Sequence, residues 1–545
     1  MPKTQEASTA GPDEFIRAVH YFGEQWPLNF WSSFTKANVP RDFAQIRDDG
    51  FNCVILLLPM RMFLPGTGPV TKEYENRLLF LLSEARKIGL GIILRVGYPH
   101  DICPSNTGLA PRIAVQLCNL LHQSDETYRR YLDHLRHVKS LVASWDNIKF
   151  VFQSWEDSWC IMKSFPDLEL AKRKMLSKRL GFDSFLRSNL SEDMRKFLAI
   201  ADAEIVPIPN KDDPLFAFFK QFYDSYTYDR FIAPLESLFP NAAYEQRVDS
   251  QKVADYKGGT QWLQFDGYRE KKAACFSYWA PFMGQENVGE AVGAEAALQA
   301  LRRVESRVRA KAGRRHFIDQ FNFVNGTAEF TATSAKIDPA ERTEFLAAAL
   351  DYLKETVLGY GLWAYRDYRE NILVNGTFEL GSYNWNIEGA ARIVGEGPYW
   401  VAVEGPCRLR TKAFAGRRFT EFRGHYGPFR LSFELDRPLP DEAACNRIAM
   451  TVRIFGRDYP IRLVPGSLRQ SALIEFDCAA RTEFGTPLEI RINVPSGAAL
   501  AVRDFQFFNH VLSNGLYSVE NESSLSMDAI RRFNISVSAA SQAVF

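Results

Sequence analysis

The sequence predicts an α/β protein in which a (β/α)8 TIM barrel is followed by an antiparallel β-sandwich of the jelly-roll type. Eight apolar, strand-like runs recur over residues 16–370 with helical stretches between them, as in parallel strands joined by helices. Helical periodicity then ends, and short alternating runs broken by Gly, Pro and Asn fill residues 371–512. The alternation alone also permits a doubly wound sheet. However, the sequence contains neither G-x-G-x-x-G after the first strand nor a P-loop, so nucleotide binding has no motif to support it.

Helical stretches lie between the predicted barrel strands. The first helix begins near Pro40 and ends at Gly50, a proline-in, glycine-out arrangement that is typical of a helix. The predicted strands are AVHYF (18–22), FNCVILLLP (51–59), GIILRVGYP (91–99), IKFVFQSW (148–155), AAYEQRVDS (242–250), ACFSYWAPF (274–282), RRHFIDQFNF (314–323) and YGLWAYRDY (360–368).

Both ends of the chain are expected to lie outside these two domains. Residues 1–15 are polar and are predicted to be disordered. Residues 513–545 are rich in serine and are predicted to form a weakly ordered tail with one short helix.

Composition excludes several classes of function. The chain has 66 basic and 65 acidic residues and a net charge of +1, so no electrostatic signature of nucleic acid or anionic membrane binding is present. No apolar run reaches the roughly 18 residues that a spanning helix needs. The eight cysteines form no C-x-x-C pair, and the eight histidines are scattered, so neither a metal nor a cofactor is expected. The N-terminus shows no apolar signal region, which favours a cytoplasmic location unless a leader has been removed.

The predicted strand ends carry carboxylates and flat aromatic side chains together. In a barrel of this kind, the C-terminal ends of the strands build the active site. Acidic and amide groups suit sugar hydroxyls, and aromatic faces suit the C–H faces of a sugar, so an oligosaccharide or polysaccharide is the expected partner. The candidate substrate-binding residues are Trp26, Arg95, Tyr98, Trp155, Trp279, Gln320, Asn322, Trp363 and Tyr365.

The fourth strand gives the sharpest candidate for a catalytic acid. Its apolar run ends on Trp155, Glu156 and Asp157, with Trp159 beyond. Burying a carboxylate is costly unless it has a partner or a task, and neighbouring rings raise a carboxyl pKa towards the value that a general acid needs. Alternatively, the two carboxylates stabilise the N-terminus of a following helix.

Several stretches resemble clan-A glycoside hydrolases, the (β/α)8 retaining enzymes that include the family 5 cellulases and mannanases and the family 42 β-galactosidases. The stretches are HYFGEQWPLNFW, PRDFAQIRDDGFNCVILLLP, GFDSFLRSNLSEDMRKFL and GYGLWAYRDY, while NILVNGTFELGSYNW resembles the first strand of jelly-roll carbohydrate-binding modules. The resemblance implies cleavage of a β-linked oligo- or polysaccharide by two carboxyl groups. It places the acid/base at Glu156, with Trp155 where the family usually has asparagine. The sandwich either buttresses the barrel or binds sugar.

The resemblance leaves the nucleophile open. The family has a glutamate at the end of the seventh strand, where HFIDQFN places Gln320. Glutamine cannot form the glycosyl–enzyme ester, so three alternatives remain. Asp319 serves after a one-residue shift by a β-bulge, or Glu245 on the fifth strand supplies the second carboxylate, or the protein is a catalytically altered or inactive carbohydrate-binding protein on a hydrolase scaffold. Arg95 and Glu245 are also candidates for an internal ion pair.

Overall fold

A computed structural model describes most of both predicted domains. The described residues are 14–25, 27–31, 33, 35–63, 71–98, 121, 124–153, 168–197, 200, 204–210, 212–254, 260–264, 273–279, 291–312, 315–322, 336–369, 371–395, 399–415, 428–476, 486–508, 511–513 and 515–542. The side chains of some residues within these ranges are not described, notably those of 245–254 and 273–279.

Eight parallel strands close into a barrel, which confirms the predicted fold class. Each strand pairs in parallel with the next, the fourth with the fifth closes one side, and the eighth pairs with the first. In chain order they are Ile16–His20, Cys53–Pro59, Gly91–Tyr98, Ile148–Phe152, Ala242–Ala254, Ala273–Trp279, Phe317–Asn322 and Gly359–Leu362.

Helices cover the outside of the barrel because one face of each is apolar. Helix Val39–Asp48 buries Val39, Phe43 and Ile46, a spacing that puts three side chains on one face. Its proline lies in the first turn, as the sequence predicts. The helices of this domain are Pro27–Phe30, Lys36–Asn38 (a 3-10 turn), Val39–Asp48, Met60–Phe63, Thr71–Lys87, Asp125–Val142, Leu170–Leu180, Phe182–Asn189, Glu192–Phe197, Phe216–Thr227, Tyr228–Ile232 (a π-helical turn), Ala233–Leu238, Ala294–Ala312 and Arg342–Thr356.

Two connections depart from a simple strand–helix unit. Between the fourth and fifth strands, several helices enclose a small core of their own, including Phe182, Phe216 and Phe219. Between the fifth and sixth strands, the described part of the connection is strand Thr260–Gln264, which pairs antiparallel with the fifth strand. The sequence predicts helices between the fourth and fifth strands, and this prediction is confirmed. Strand Thr260–Gln264 was not predicted.

The second domain is an antiparallel sheet structure, as predicted. Strand Trp400–Ala415 is its centre. It pairs along one edge with Trp385–Val394, and along the other with Ala499–Phe508 and then Thr486–Val494. The remaining strands of this sheet are Phe429–Leu435, Ala449–Ile454, Arg457–Ile461 and Arg469–Ile474, and a short helix spans Glu442–Arg447. Alternate side chains fill the interior, with Phe433, Trp385 and Phe505 in contact.

Two short pairings complete the strand inventory. Tyr368–Arg369, just after the eighth barrel strand, pairs antiparallel with Val511–Leu512 at the end of the sandwich. Ala291–Val292 pairs in parallel with Lys336–Ile337. The first of these pairings returns the chain from the sandwich to the barrel.

The C-terminal segment differs from the weakly ordered tail that the sequence predicts. Residues Met527–Gln542 form a helix, and the side chains of Met527, Ile530 and Val537 are buried in the barrel's outer core. Asn534 is fully buried and accepts a hydrogen bond from the Tyr360 hydroxyl at 2.6 Å. The helix is therefore a packed element of the barrel, since its apolar residues recur every three or four positions. Across the described ranges, no helix combines the length and the apolar character needed to cross a membrane.

Candidate active site

The side chains inside the barrel form layers, of which one is apolar and the next, towards the C-terminal ends of the strands, is polar. Ala18, Ile93 and Phe317 belong to the interior cluster. Side chains alternate along a strand, so the residues two positions further on enter the same interior, nearer the C-terminal ends of the strands. These residues are His20, Arg95 and Asp319, and all three are at least 97% buried.

A β-bulge in the seventh strand determines where Asp319 lies. Against the sixth strand, Ile318 pairs with Phe276, whereas Gln320, not Asp319, pairs with the next residue, Ser277. Ile318 and Phe321 both belong to the outer core although they are three residues apart, which strict alternation would not allow. Asp319 is thus the extra residue of the bulge.

The eighth strand passes close to this bulge because it has a glycine there. A Cβ atom at Gly361 would lie 2.8 Å from the carbonyl oxygen of Asp319 and 2.4 Å from the Cδ1 atom of Ile55. Any side chain at this position would push the two strands apart. Gly361 therefore fixes the backbone of Asp319 against the strand that leads to Trp363.

Asp319 and Arg95 form a fully buried ion pair across the barrel. The guanidinium Nη2 of Arg95 donates to the Oδ2 atom of Asp319, and the two side chains are 1% and 0% exposed. The sequence offered Glu245 as an ion-pair partner for Arg95, and also suggested that Arg95 binds substrate hydroxyls. The structure pairs Arg95 with Asp319, which faces the barrel interior by alternation from Phe317. A contact of Arg95 with Glu245 is not tested, because the Glu245 side chain is outside the described part of the chain. Pairing is what makes two buried charges tolerable.

His20 binds the backbone of the same bulge. Its Nε2 atom lies 2.7 Å from the carbonyl oxygen of Asp319. A carbonyl oxygen can only accept, so Nε2 carries the proton and donates. Burial, together with the charge of Arg95, holds the pKa of His20 well below its ordinary value. His20 is therefore neutral near pH 7 and fixes the bulge.

Trp363 lies beside this cluster at the end of the eighth strand. Its ring centroid is 4.9 Å from that of His20 and 5.1 Å from that of Phe22. Its backbone N–H donates to the carbonyl oxygen of Phe321 at 3.0 Å, which ties it to the seventh strand. The sequence-predicted residues Arg95, Asp319 and Trp363 are thus brought to one end of the barrel interior, with Gln320 fully buried in the same bulge.

Other predicted site residues lie beyond what the structure describes, or lie elsewhere. Trp26, Trp155 and Glu156 fall outside the described residues. For four others the backbone is described and the side chain is not: Tyr98, Glu245, Trp279 and Asn322. Trp279 and Asn322 are cross-strand partners, and Glu245 pairs with Cys275.

Tyr365 is not brought to the cluster. Its hydroxyl donates to the Oδ2 atom of Asp49 at 2.9 Å, where Tyr517 donates to the same oxygen. Arg531 of the C-terminal helix donates two hydrogen bonds to the other oxygen of this carboxylate, Oδ1. The residue therefore connects the eighth strand to the C-terminal segment. Tyr365 follows Trp363 by two residues in the sequence, but this proximity does not place it in the cluster.

A second polar site was not predicted from the sequence. A cavity of about 420 Å³ lies between the loop after the first strand and the sandwich. Its walls come from segments more than 300 residues apart, such as those of Gln25 and Asp504, and no local pattern joins such segments. Within the part of the chain that is described, no group of three or more His, Cys, Asp or Glu side chains is arranged to hold a metal ion.

Comparison with known proteins gives similarity at the level of structure alone. No family model matches the sequence, and no curated protein matches it. Among solved structures, GH5_18 from Streptomyces cattleya in complex with GlcNAc is similar with a TM-score of 0.42 and 13% identity, over 65% of this chain and 72% of that one.

Two further structures show the same degree of likeness. An exo-β-1,4-mannosidase from Opitutaceae bacterium strain TAV5 gives a TM-score of 0.39 and 13% identity, over 67% of this chain and 56% of that one. A β-galactosidase from the haloarchaeon Halorubrum lacusprofundi gives 0.41 and 12%, over 64% and 53%. The chain thus spans little more than half the length of these two. At TM-scores below 0.5 these likenesses do not assign a family, and the barrel is established by its own strand pairings.

Proposed function

We propose that this protein is a glycoside hydrolase that cleaves a β-linked oligo- or polysaccharide by a two-carboxylate, retaining mechanism. The observation that carries the proposal is a carboxylate inside the barrel on the seventh strand, Phe317–Asn322. Asp319 is held there by Arg95, with His20 on its backbone and Trp363 beside His20. Active sites of barrels of this kind lie towards the C-terminal ends of the strands, and a buried charged group there is a candidate site residue.

The surroundings of Asp319 suit the role of the second carboxylate. A nucleophile must be ionised, and the permanent cation of Arg95 favours negative charge on its neighbour. Neutral His20 binds only the carbonyl oxygen of Asp319 in the contact described, so it orients the bulge. The carboxylate attacks the anomeric carbon, and the ester that forms is then hydrolysed by water.

Glu156 is the proposed acid/base. It protonates the leaving oxygen in the first step and removes a proton from water in the second. Trp363 lines the sugar subsite nearest Asp319, and Trp26, Tyr98, Trp155, Trp279 and Asn322 are proposed to extend it. Glu245 stays the alternative source of the second carboxylate.

One observation favours a second candidate function, carbohydrate binding without turnover. The Asp319 side chain is 0% exposed and ion-paired, and Gln320 occupies the position where the resembled family has its nucleophile. A carboxylate committed to a structural pair is a poor nucleophile. A barrel of this kind would bind a saccharide and leave it intact.

Turnover of aryl β-glycosides and of a polysaccharide panel distinguishes the two functions. Glu156→Gln and Asp319→Asn should each lower kcat/KM at least about 100-fold. Asp49→Asn is the matched control, because it also removes the charge of a buried aspartate paired with an arginine but lies outside the cluster. Absence of turnover by the wild type, with binding on a glycan array, would establish the second function. Absence of both would refute both.

A fluorinated sugar that traps the glycosyl ester identifies the nucleophile. A 2-deoxy-2-fluoro β-glycoside of the best substrate should label the peptide that contains Asp319, as seen by mass spectrometry. Label on the peptide of Glu245 would transfer the role to the fifth strand. NMR identifies the anomer that is released first. An α-configured first product would show an inverting reaction and contradict the retaining mechanism.

A further inference from the structure

Buried polar contacts between the barrel and the sandwich hold the walls of the cavity in place. Glu379 of the sandwich pairs with Arg77 at 3.4 Å, and both side chains are at least 95% buried. The same carboxylate accepts from the backbone N–H of Lys36 at 3.2 Å, and Arg369 donates to Gln506 at 2.8 Å. Buried polar contacts of this kind fix the two domains against each other. The volume of about 420 Å³ is within the range of small-molecule pockets, roughly 300–1,000 Å³.

Three polar atoms of the lining lack a hydrogen-bond partner among the described residues. They are the Oε1 atom of Gln25 and the hydroxyl oxygens of Ser33 and Thr377. Gln25 is 8% exposed and Ser33 is 7% exposed. A buried polar group left unsatisfied costs about 1–3 kcal/mol, so these atoms need a partner from within the cavity. Because Gln25 Oε1 is an acceptor, the occupant has to donate.

The charges of the lining favour a cation. Among the described residues, five carboxylates and one guanidinium line the cavity: Glu24, Asp42, Glu379, Glu434 and Asp504, with Arg503. Four of the five have an arginine within 4 Å. Asp504 is the exception in the described ranges: its carboxylate accepts only from Gln506 Nε2, at 3.0 and 3.1 Å. Burial raises the pKa of Asp504 and of Glu24, and of these two only Asp504 lacks an arginine partner in the described ranges.

The backbone supports the same interpretation. Asp504 has a φ of +52°, a conformation that costs energy in most residues but that Asp and Asn adopt more readily than others. This backbone conformation alone does not indicate a ligand site. Together with the unsatisfied Gln25 and Ser33, it is consistent with a carboxylate held in place for a ligand.

We infer that this cavity binds a small hydroxylated amine of the amino-sugar class. The ligand's ammonium group pairs with Asp504, and its hydroxyls donate to Gln25 and exchange hydrogen bonds with Ser33 and Thr377. This site goes beyond the proposed hydrolase function, since its proposed ligand contacts are made by Asp504, Gln25, Ser33 and Thr377 and by none of the residues of the Asp319 cluster. It would bind its ligand even if the barrel hydrolysed nothing.

Calorimetric titration of the full chain with glucosamine tests the inference, with glucose as the neutral probe of nearly the same shape. At about pH 6.5 the amine of glucosamine is protonated. We expect one site per chain, with glucosamine bound at least about tenfold more tightly than glucose, which corresponds to ~1.4 kcal/mol. Equal affinity for the two probes, or no saturable binding of glucosamine, would overturn the inference.

Variants assign the binding to this cavity. Asp504→Asn removes the charge and keeps a residue that tolerates positive φ, so it should fold and lose at least about tenfold in glucosamine affinity. Thr377→Val removes a hydroxyl at similar shape and should weaken both probes. Glu404→Gln, 75% exposed on the sandwich, is the control and should bind as the wild type does. Unchanged affinity in Asp504→Asn would refute the site.

A further titration separates this inference from the hydrolase proposal. Glucosamine should bind to Asp319→Asn as it does to the wild type, since that substitution changes the barrel interior alone. Loss of binding in Asp319→Asn but not in Asp504→Asn would place the ligand in the barrel and refute the cavity site. If the protein shows no turnover, Asp504-dependent binding of glucosamine is still expected.

Discussion

Replacing Asn534 by alanine should destabilise the barrel by about 2–4 kcal/mol. The Asn534 side chain is fully buried between the C-terminal helix and the barrel. It accepts from the Tyr360 hydroxyl at 2.6 Å and donates to the carbonyl oxygen of Asp49 at 3.2 Å. Alanine removes both bonds and leaves two buried polar groups without these partners, at a cost of about 1–3 kcal/mol each. The longer bond is the weaker of the two, so the total lies below the sum of the maxima.

A double-mutant cycle isolates the contribution of the shorter bond. Tyr360→Phe removes the hydroxyl and should cost about 1 kcal/mol. In the Asn534→Ala background the same change should cost less, or even stabilise, because the hydroxyl then has no Asn534 to bind. The expected coupling energy is about 1–2 kcal/mol.

Urea unfolding of the full chain, followed by fluorescence, measures both quantities. The midpoint should fall while the m value stays constant, so that the shift reports stability alone. Ser536→Ala, an exposed position on the same helix, is the control and should stay within about 0.5 kcal/mol of the wild type. A change of that small size in Asn534→Ala, with no coupling to Tyr360, would show that the helix does not stabilise the barrel.

Two further predictions concern pH and backbone conformation. Burial raises the pKa of Asp367 to about 6, so the folded state binds the proton more tightly than the unfolded state, and stability falls as pH rises from about 4 to 6. The free energy of unfolding of Asp367→Asn should therefore match that of the wild type near pH 4 and exceed it near pH 7. The expected excess is about 1–2 kcal/mol after allowance for the partial exposure of Asp367. Equal stability of the two proteins at both pH values, measured by urea unfolding, would contradict this. Gly50→Ala should cost several kcal/mol more than Gly89→Ala. Both glycines have positive φ, but a Cβ at Gly50 would lie 2.7 Å from the Cβ atom of Asn534, whereas a Cβ at Gly89 would meet nothing within 4 Å; equal losses in thermal unfolding would refute this close contact.

The order of the eight barrel strands could be predicted from the sequence because each signal is local. The buried run CVILLLP and the apolar face formed by Val39, Phe43 and Ile46 are visible within about ten residues of chain. The same is true of the sandwich strands, whose alternate residues are buried. Eight strands alternating with helices then fit a closed (β/α)8 barrel, and the missing nucleotide motif argues against the doubly wound alternative.

The length and packing of the C-terminal helix are hard to predict from the sequence for a local reason. Met527, Ile530, Asn534 and Val537 form its buried face, but an asparagine interrupts the apolar periodicity and serines flank it. The residue that weakens the sequence signal is the one whose amide binds Tyr360 and Asp49. A buried polar contact is specified by its distant partners, so composition alone suggests disorder.

The sequence by itself determined the class of fold and the residue types available at the strand ends, since these follow from the periodicity of the polypeptide chain. Only the tertiary structure decided that Arg95 pairs with Asp319, 224 residues away, because barrel closure brings the third and seventh strands together across the interior. It also decided that Tyr365 binds Asp49, and that Gln25 and Asp504 line one cavity. Each of these contacts depends on how distant segments are placed by barrel closure and domain packing, and no local pattern encodes that placement.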